Sequence, residues 1–156
     1  MVELGVTIHQ FSWEACHRLV KNYDNHSNHF HGHSYVAKIV IHKDQEKLVD
    51  VPLEYPIASA QFKIASDTWL EENWHHAALL APEDKQSQRF WEESGQRMYL
   101  CTGSPTVTVL ARELFEKAVE LADRLPVKVV EVSIHAANYH GTWSADMKEF
   151  SSSSAK

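Results

Sequence analysis

The 156 residues carry a formal net charge of −6, with 44% hydrophobic and 23% charged side chains. A chain of that length and balance is read as one soluble globular domain, spanning residues 1–148, with a disordered tail at 149–156. With no basic stripe, neither nucleic acid nor an anionic membrane is expected as a partner. No run approaches the roughly 18 apolar residues of a membrane span and no signal pattern opens the chain, so a cytoplasmic location is expected.

In chain order, Glu3 to Phe11 reads as a strand with Leu4, Val6 and Ile8 on one face, continuing through Leu19. Lys21 to Asn28 is a polar loop, and Ser34 to His42, rich in β-branched residues, is a second strand. Lys43 to Leu53 is a charged connection. From Pro56 to Trp74, Ile57, Ala60, Ile64, Thr68 and Trp69 recur at helical steps, with Pro56 suited to a first turn. Ala81 to Gln96 reads as a loop with some helix, and Arg97 to Thr102 as a short strand. Thr106 is a plausible cap for a second main helix, Val107 to Arg124, striped by Leu110, Leu114, Ala118 and Leu121 and ended by Pro126. Val127 to His135 is a strand, and Tyr139 to Trp143 begins a last strand or turn. The order ββ–α–α–ββ predicts an α+β fold with helices on one face of an antiparallel sheet.

Eleven histidines are the compositional anomaly, and four of them fall between Asn25 and Tyr35. His31 and His33 are two apart, so on an extended segment both rings leave the same side. If the first two strands are antiparallel neighbours, His17 comes close to that pair. Three imidazoles with an open fourth position are the donor set of a catalytic zinc. Cys16, adjacent to His17 on a strand, should face the other way. Cys16 and Cys101 lack paired spacing and read as free thiols.

Several motifs are in the right order for one family. Ala15-Cys16-His17-Arg18-Leu19, His31-Gly32-His33-Ser34-Tyr35, Pro105-Thr106 at a helix start, and Val127-Lys128-Val129-Val130-Glu131 followed by Tyr139 and Gly141 span most of the chain. Together they resemble the 6-pyruvoyl-tetrahydropterin synthase and 6-carboxy-tetrahydropterin synthase family. The resemblance implies a tunnelling fold, a four-stranded antiparallel sheet with two helices on one face. It also implies a homo-oligomer, usually a hexamer built as a dimer of trimers into a barrel, with active sites between subunits.

What the resemblance implies for the site is specific. His17, His31 and His33 would bind Zn2+. Glu131 would anchor a heterocyclic substrate by accepting hydrogen bonds from its amino-pyrimidinone edge, with Thr106 lining the pocket. His76 would shuttle the proton. The family's cysteine, four residues before His31, is Ser27 here, and the aspartate of its Asp-His pair is His75. Ser27 and His75 are thus the altered members of the catalytic set. The expectation is a zinc-dependent lyase or cyclase-type enzyme acting on a pterin or related heterocycle by metal-polarised proton abstraction, with altered chemistry or substrate in a specialised biosynthetic pathway. A catalytically weakened pterin-binding or assembly protein and a standard 6-carboxy- or 6-pyruvoyl-tetrahydropterin synthase are the alternatives.

Overall fold

A computed structural model describes residues 5–20 and 26–147; the expected tail and most of the first polar loop lie outside the described residues. Nine elements follow one another: β1 (Val6–His17), β2 (His31–Lys43), α1 (Tyr55–Asn73), β3 (Ala78–Leu80), α2 (Lys85–Ser94), β4 (Met98–Leu100), α3 (Val107–Leu121), β5 (Val127–Ala136) and β6 (Tyr139–Ser144). The strands form one sheet in the order β4-β3-β1-β2-β5-β6.

The antiparallel part of the expectation holds for β1, β2, β5 and β6. The four-stranded sheet with two helices is corrected to a six-stranded mixed sheet with three helices. Between α1 and α3 the chain makes a right-sized crossover of its own: β3 runs parallel to the end of β1, α2 follows, and β4 runs parallel to β3. The three residues of β3 are all buried and so show no alternation from which a strand could be read.

Alternation sets the two faces elsewhere. Phe11, Trp13, Ala15 and His17 of β1, and Tyr35, Ala37, Ile39 and Ile41 of β2, are buried beneath the helices. Ser12, Glu14 and Cys16 take the opposite face, as do Gly32 and Ser34. Register pairs Trp13 with Tyr35, and their rings stack at 5.3 Å and 4°. In β5 the register slips by one residue between Val40 and Ile41 of its neighbour, so Val127 and Val129 join the core before the bulge and Val132, Ile134 and Ala136 after it.

The helices close the core from one side. α3 presents Leu110, Ala111, Leu114, Phe115 and Ala118, as its stripe foretells. α1 does not follow the stripe read from its sequence. Its buried line is Tyr55, Ala58, Ser59, Phe62, Ser66 and Leu70, whereas Ile57 and Ile64 are exposed. The reason lies in β1, whose core-facing residues near its start are polar: Thr7 Oγ1 meets the Tyr55 hydroxyl and His9 Nε2 meets Ser59 Oγ, both at 2.8 Å. A serine with a hydrogen-bonded partner is buried at little cost, which masks the helix's inner face. Val6 and Ile8 accordingly lie on the exposed face.

Candidate metal centre

The register that joins β1 to β2 places His17 directly opposite His31, with Ala15 opposite His33. All three histidines therefore share the helix-facing side at the end of the ladder. One ring nitrogen of each lies within 4.8 Å of the other two. His17 is buried, and His31 and His33 are half-buried.

Backbone carbonyls set the tautomers of two of the rings. His17 Nδ1 lies 2.8 Å from the Pro105 carbonyl oxygen, and His31 Nδ1 lies 2.8 Å from that of His29. A carbonyl only accepts, so each Nδ1 carries the proton and donates it. The two Nε2 atoms are then bare lone pairs, and they face each other at 2.9 Å. Two lone pairs at that separation repel unless a cation lies between them. Zinc–imidazole bonds of about 2.0–2.1 Å at tetrahedral angles put ligand nitrogens about 3.3 Å apart, close to this spacing. Second hydrogen bonds from metal-binding imidazoles to carbonyls are the usual orienting device.

Electrostatics favour the ligating, neutral form of His17 and His33. Burial, aided by the neighbouring His31 and His33, lowers the pKa of His17 to about 4, although the Pro105 carbonyl opposes the shift. Burial and then His31 lower that of His33. The donor set thus fits a divalent zinc ion.

A cavity of about 260 Å³ opens beside the cluster, lined among others by Ser27, Tyr35, Thr106, Val107 and Tyr139. Thr106 does two things there. It borders the cavity, and its Oγ1 caps α3 by accepting the Val109 N–H at 3.3 Å. The Tyr139 ring lies 6.3 Å from His33, which makes it a wall residue that spacing alone did not single out. Gly141 allows this approach, because β6 crosses the start of α3 so closely that a Cβ there would sit 2.5 Å from Thr108 N.

The remaining expected site residues are elsewhere in the chain. His76 borders a second cavity of about 420 Å³ with Glu14, Cys16, Gly32, Ser34 and Gln96, mostly the sheet face turned away from the helices. His33 borders both cavities. His75 lines a third depression with Ser12, Asp67 and Glu71. Cys16 faces away from the cluster as its position predicts, and burial pushes its thiol up. Glu131 is half-buried and pairs with Val40, seven positions beyond His33 along β2. At roughly 3.3 Å per residue that is about 23 Å from the cluster.

One residue next to the cluster fixes the inserted β3-α2-β4 segment. Arg18 donates from Nε and Nη2 to the two carboxylate oxygens of Asp84, each at 2.7 Å. Asp84 in turn caps α2 by accepting the Ser87 N–H at 3.2 Å. Arg18 also lies over the Phe30 ring, which meets Trp91 of α2 edge to face at 5.9 Å.

Comparison with known proteins gives these features a family. Residues 6–144 match the family model described as 6-pyruvoyl tetrahydropterin synthase. The chain is 26% identical over 113 residues to the 6-carboxy-5,6,7,8-tetrahydropterin synthase of Rickettsia felis, covering 69% of this chain and 78% of that protein. Among solved structures, an uncharacterized protein of Wolinella succinogenes matches with a TM-score of 0.66 at 13% identity, covering 92% of this chain and 99% of that one. The 6-pyruvoyl tetrahydropterin synthase of Caenorhabditis elegans matches with a TM-score of 0.53 at 18% identity, covering 93% and 99%.

Proposed function

Because the chain belongs to the 6-pyruvoyl tetrahydropterin synthase family, we propose that it is a zinc-dependent lyase or cyclase-type enzyme acting on a pterin or a related heterocycle. The observation that carries the reading is the convergence of His17, His31 and His33 beside a cavity that also holds Ser27 and Thr106. His17, His31 and His33 would hold the zinc, which would supply a Lewis acid for a substrate oxygen and so ease loss of a neighbouring C–H proton.

The chain's own residues divide the remaining work. His76 moves the proton, with His75 stacked on it. Ser27 lines the cluster cavity where the family's motif has a cysteine. A thiol ordinarily titrates near ~8.5, far below an alkyl hydroxyl, so Ser27 serves as a hydrogen-bonding group and leaves the proton work to His76. This difference is the reason for proposing altered chemistry or an altered substrate. Glu131 offers two acceptor oxygens to the heterocycle edge, and Thr106 lines the pocket.

Within one chain Glu131 lies about 23 Å from the cluster along β2, and His76 shares with it only the cavity that His33 also borders. The proposed assembly is therefore a homo-oligomer, a hexamer of two trimers, in which a second copy brings these groups to the zinc of the first. The family's standard reaction is the second reading, favoured by the naming of the Rickettsia relatives as 6-carboxy-5,6,7,8-tetrahydropterin synthases. A pterin-binding protein with weakened catalysis is a third, favoured by Ser27 and His75.

Metal analysis after purification without chelator, followed by incubation with 7,8-dihydroneopterin triphosphate and related heterocycles, tests these readings. Stoichiometric zinc and turnover that chelation abolishes and zinc restores are the expected results. Binding without turnover selects the weakened protein, and failure to take up zinc on reconstitution refutes the metal site.

A further inference from the structure

The two histidines after α1 are held by one residue of β1. The Glu14 carbonyl accepts the backbone N–H of His76 at 2.7 Å, and the Glu14 N–H donates to His75 Nδ1 at 3.3 Å. The Glu14 carboxylate completes the set, with Oε2 lying 3.7 Å from His76 Nε2. That last separation is an ion-pair distance rather than a hydrogen bond. Both side chains are exposed, so rotation of either closes it, as catalytic contacts commonly do when substrate arrives.

His76 also has a φ of 55°, one of two left-handed non-glycine positions among the described residues. A residue with a Cβ adopts that conformation only where its surroundings hold it, and such positions gather at functional sites. Here the backbone bond to the Glu14 carbonyl does the holding, and the His76 ring lies beside the Glu14 carboxylate.

The rings of His75 and His76 stack with centroids 3.9 Å apart and planes 25° from parallel. Two imidazoles so close cannot both be charged without repulsion, so the pair must choose where a proton goes. His75 Nδ1 accepts a backbone N–H, and an imidazolium has no acceptor. In its neutral form His75 therefore carries its proton on Nε2. The carboxylate beside His76 Nε2 is an acceptor only, and it draws a proton to that nitrogen.

We propose that Glu14 is the positioning carboxylate of His76. It fixes the Nε2–H tautomer of that ring and frees Nδ1 to accept a proton. The inference rests on the reading of His76 as the proton shuttle. In that step the substrate C–H bond breaks, its electron pair stays on the substrate, and the proton goes to Nδ1. Glu14 then faces the imidazolium so formed. A carboxylate partner for the shuttle is thus present although the residue preceding His76 is itself a histidine.

Long-range proton–nitrogen NMR of the full-length protein at mildly alkaline pH tests the assignment in wild type, Glu14→Ala and Glu14→Gln. Both substitutions leave the backbone of residue 14 in place, and the side chain they alter is exposed, so folding is preserved. Wild type should show Nε2–H on both rings. In both variants His76 should become a mixture of tautomers, because an amide presents a donor as readily as an acceptor, while His75 keeps its form. Turnover of 7,8-dihydroneopterin triphosphate should fall in kcat by on the order of tenfold or more, with KM changed less than about twofold. An unchanged His76 tautomer in both variants, or Nδ1–H in wild type, overturns the proposal. If wild type turns over no pterin the functional reading fails, and the tautomers still decide the pairing.

Discussion

Protonation of the histidine cluster should cost the metal-free protein stability in a defined pH window. His17 is held neutral by burial, its pKa lowered from 6.5 to about 4. Between these values the unfolded chain binds a proton that the folded chain excludes, so stability falls as pH falls through the window and is intact above it. A window of about 2.5 pH units at about 1.4 kcal/mol each gives about 3.5 kcal/mol in all, of which about 2 kcal/mol is lost by about pH 5. Urea unfolding with chelator, at fixed protein concentration, measures the loss in wild type and in His17→Asn, whose amide keeps a donor for the Pro105 carbonyl. His9 and His33 are also lowered by burial and contribute with the same sign, but they titrate in both proteins and cancel in the difference. Wild type should lose about 2 kcal/mol more than the variant between about pH 7 and about pH 5. Parallel curves for the two proteins would refute the argument. Zinc added at neutral pH should stabilise wild type in proportion to the logarithm of its concentration, and this gain should shrink in acid as protons compete for the imidazoles.

Three further outcomes can be checked. Asp84→Ala removes both the partner of Arg18 and the cap of α2, so urea unfolding should show a loss of about 3 kcal/mol. The hydrogen bond from Arg18 holds the Asp84 carboxyl below its ordinary value of 3.8, so its contribution in wild type is present above that pH and lost as pH falls through the lower folded value. Gly141→Ala drives a Cβ into the backbone of Val107 and Thr108, and its thermal midpoint should drop by the equivalent of about 3 kcal/mol or more, or the protein should fail to fold. An undisturbed midpoint would count against the close crossing of β6 over α3. Ser27→Cys should raise kcat on 7,8-dihydroneopterin triphosphate by on the order of tenfold or more, and no change would remove Ser27 from the reacting set.

The histidine cluster was legible because it depends on the simplest rule of strand geometry. A spacing of two put His31 and His33 on one side, and antiparallel pairing brought His17 opposite His31. The bulk of the fold followed equally from alternation in β2 and β5 and from the stripe of α3. What escaped were features whose pattern is set by a partner. Ser59 belongs to the core because His9 bonds it, so Ile57 and Ile64 drew the inner face of α1 to the wrong side. β3 is wholly buried, and a three-residue run without alternation resembles any other apolar stretch. Glu14 has no sequence signal at all: its link to His75 and His76 joins residues 61 and 62 positions away through two backbone bonds and one carboxylate.

The same period of two that gathers the three histidines also turns the proposed proton-transfer groups toward the other face. Along β1, His17 faces the helices while Glu14 and Cys16 face the other way, and Glu131 joins that second face on β5. A ladder of extended backbone lies between the faces, so within one chain Glu131 stands apart from the three histidines and His76 shares with them only the cavity that His33 also borders. The edges of the sheet offer the way around. Among the described residues β6 pairs only with β5, and β1 has β3 as a second neighbour only at Cys16 and His17 and the His75–His76 turn at Glu14, which leaves its stretch from Val6 to Trp13 as an edge. Unpaired edges on opposite sides of the long antiparallel strands are a liability for a lone chain and a means of joining copies head to tail. On the proposed reading a single chain is an incomplete enzyme whose open edges suit an assembly with shared sites, and the proposed oligomer and the divided site stand or fall together.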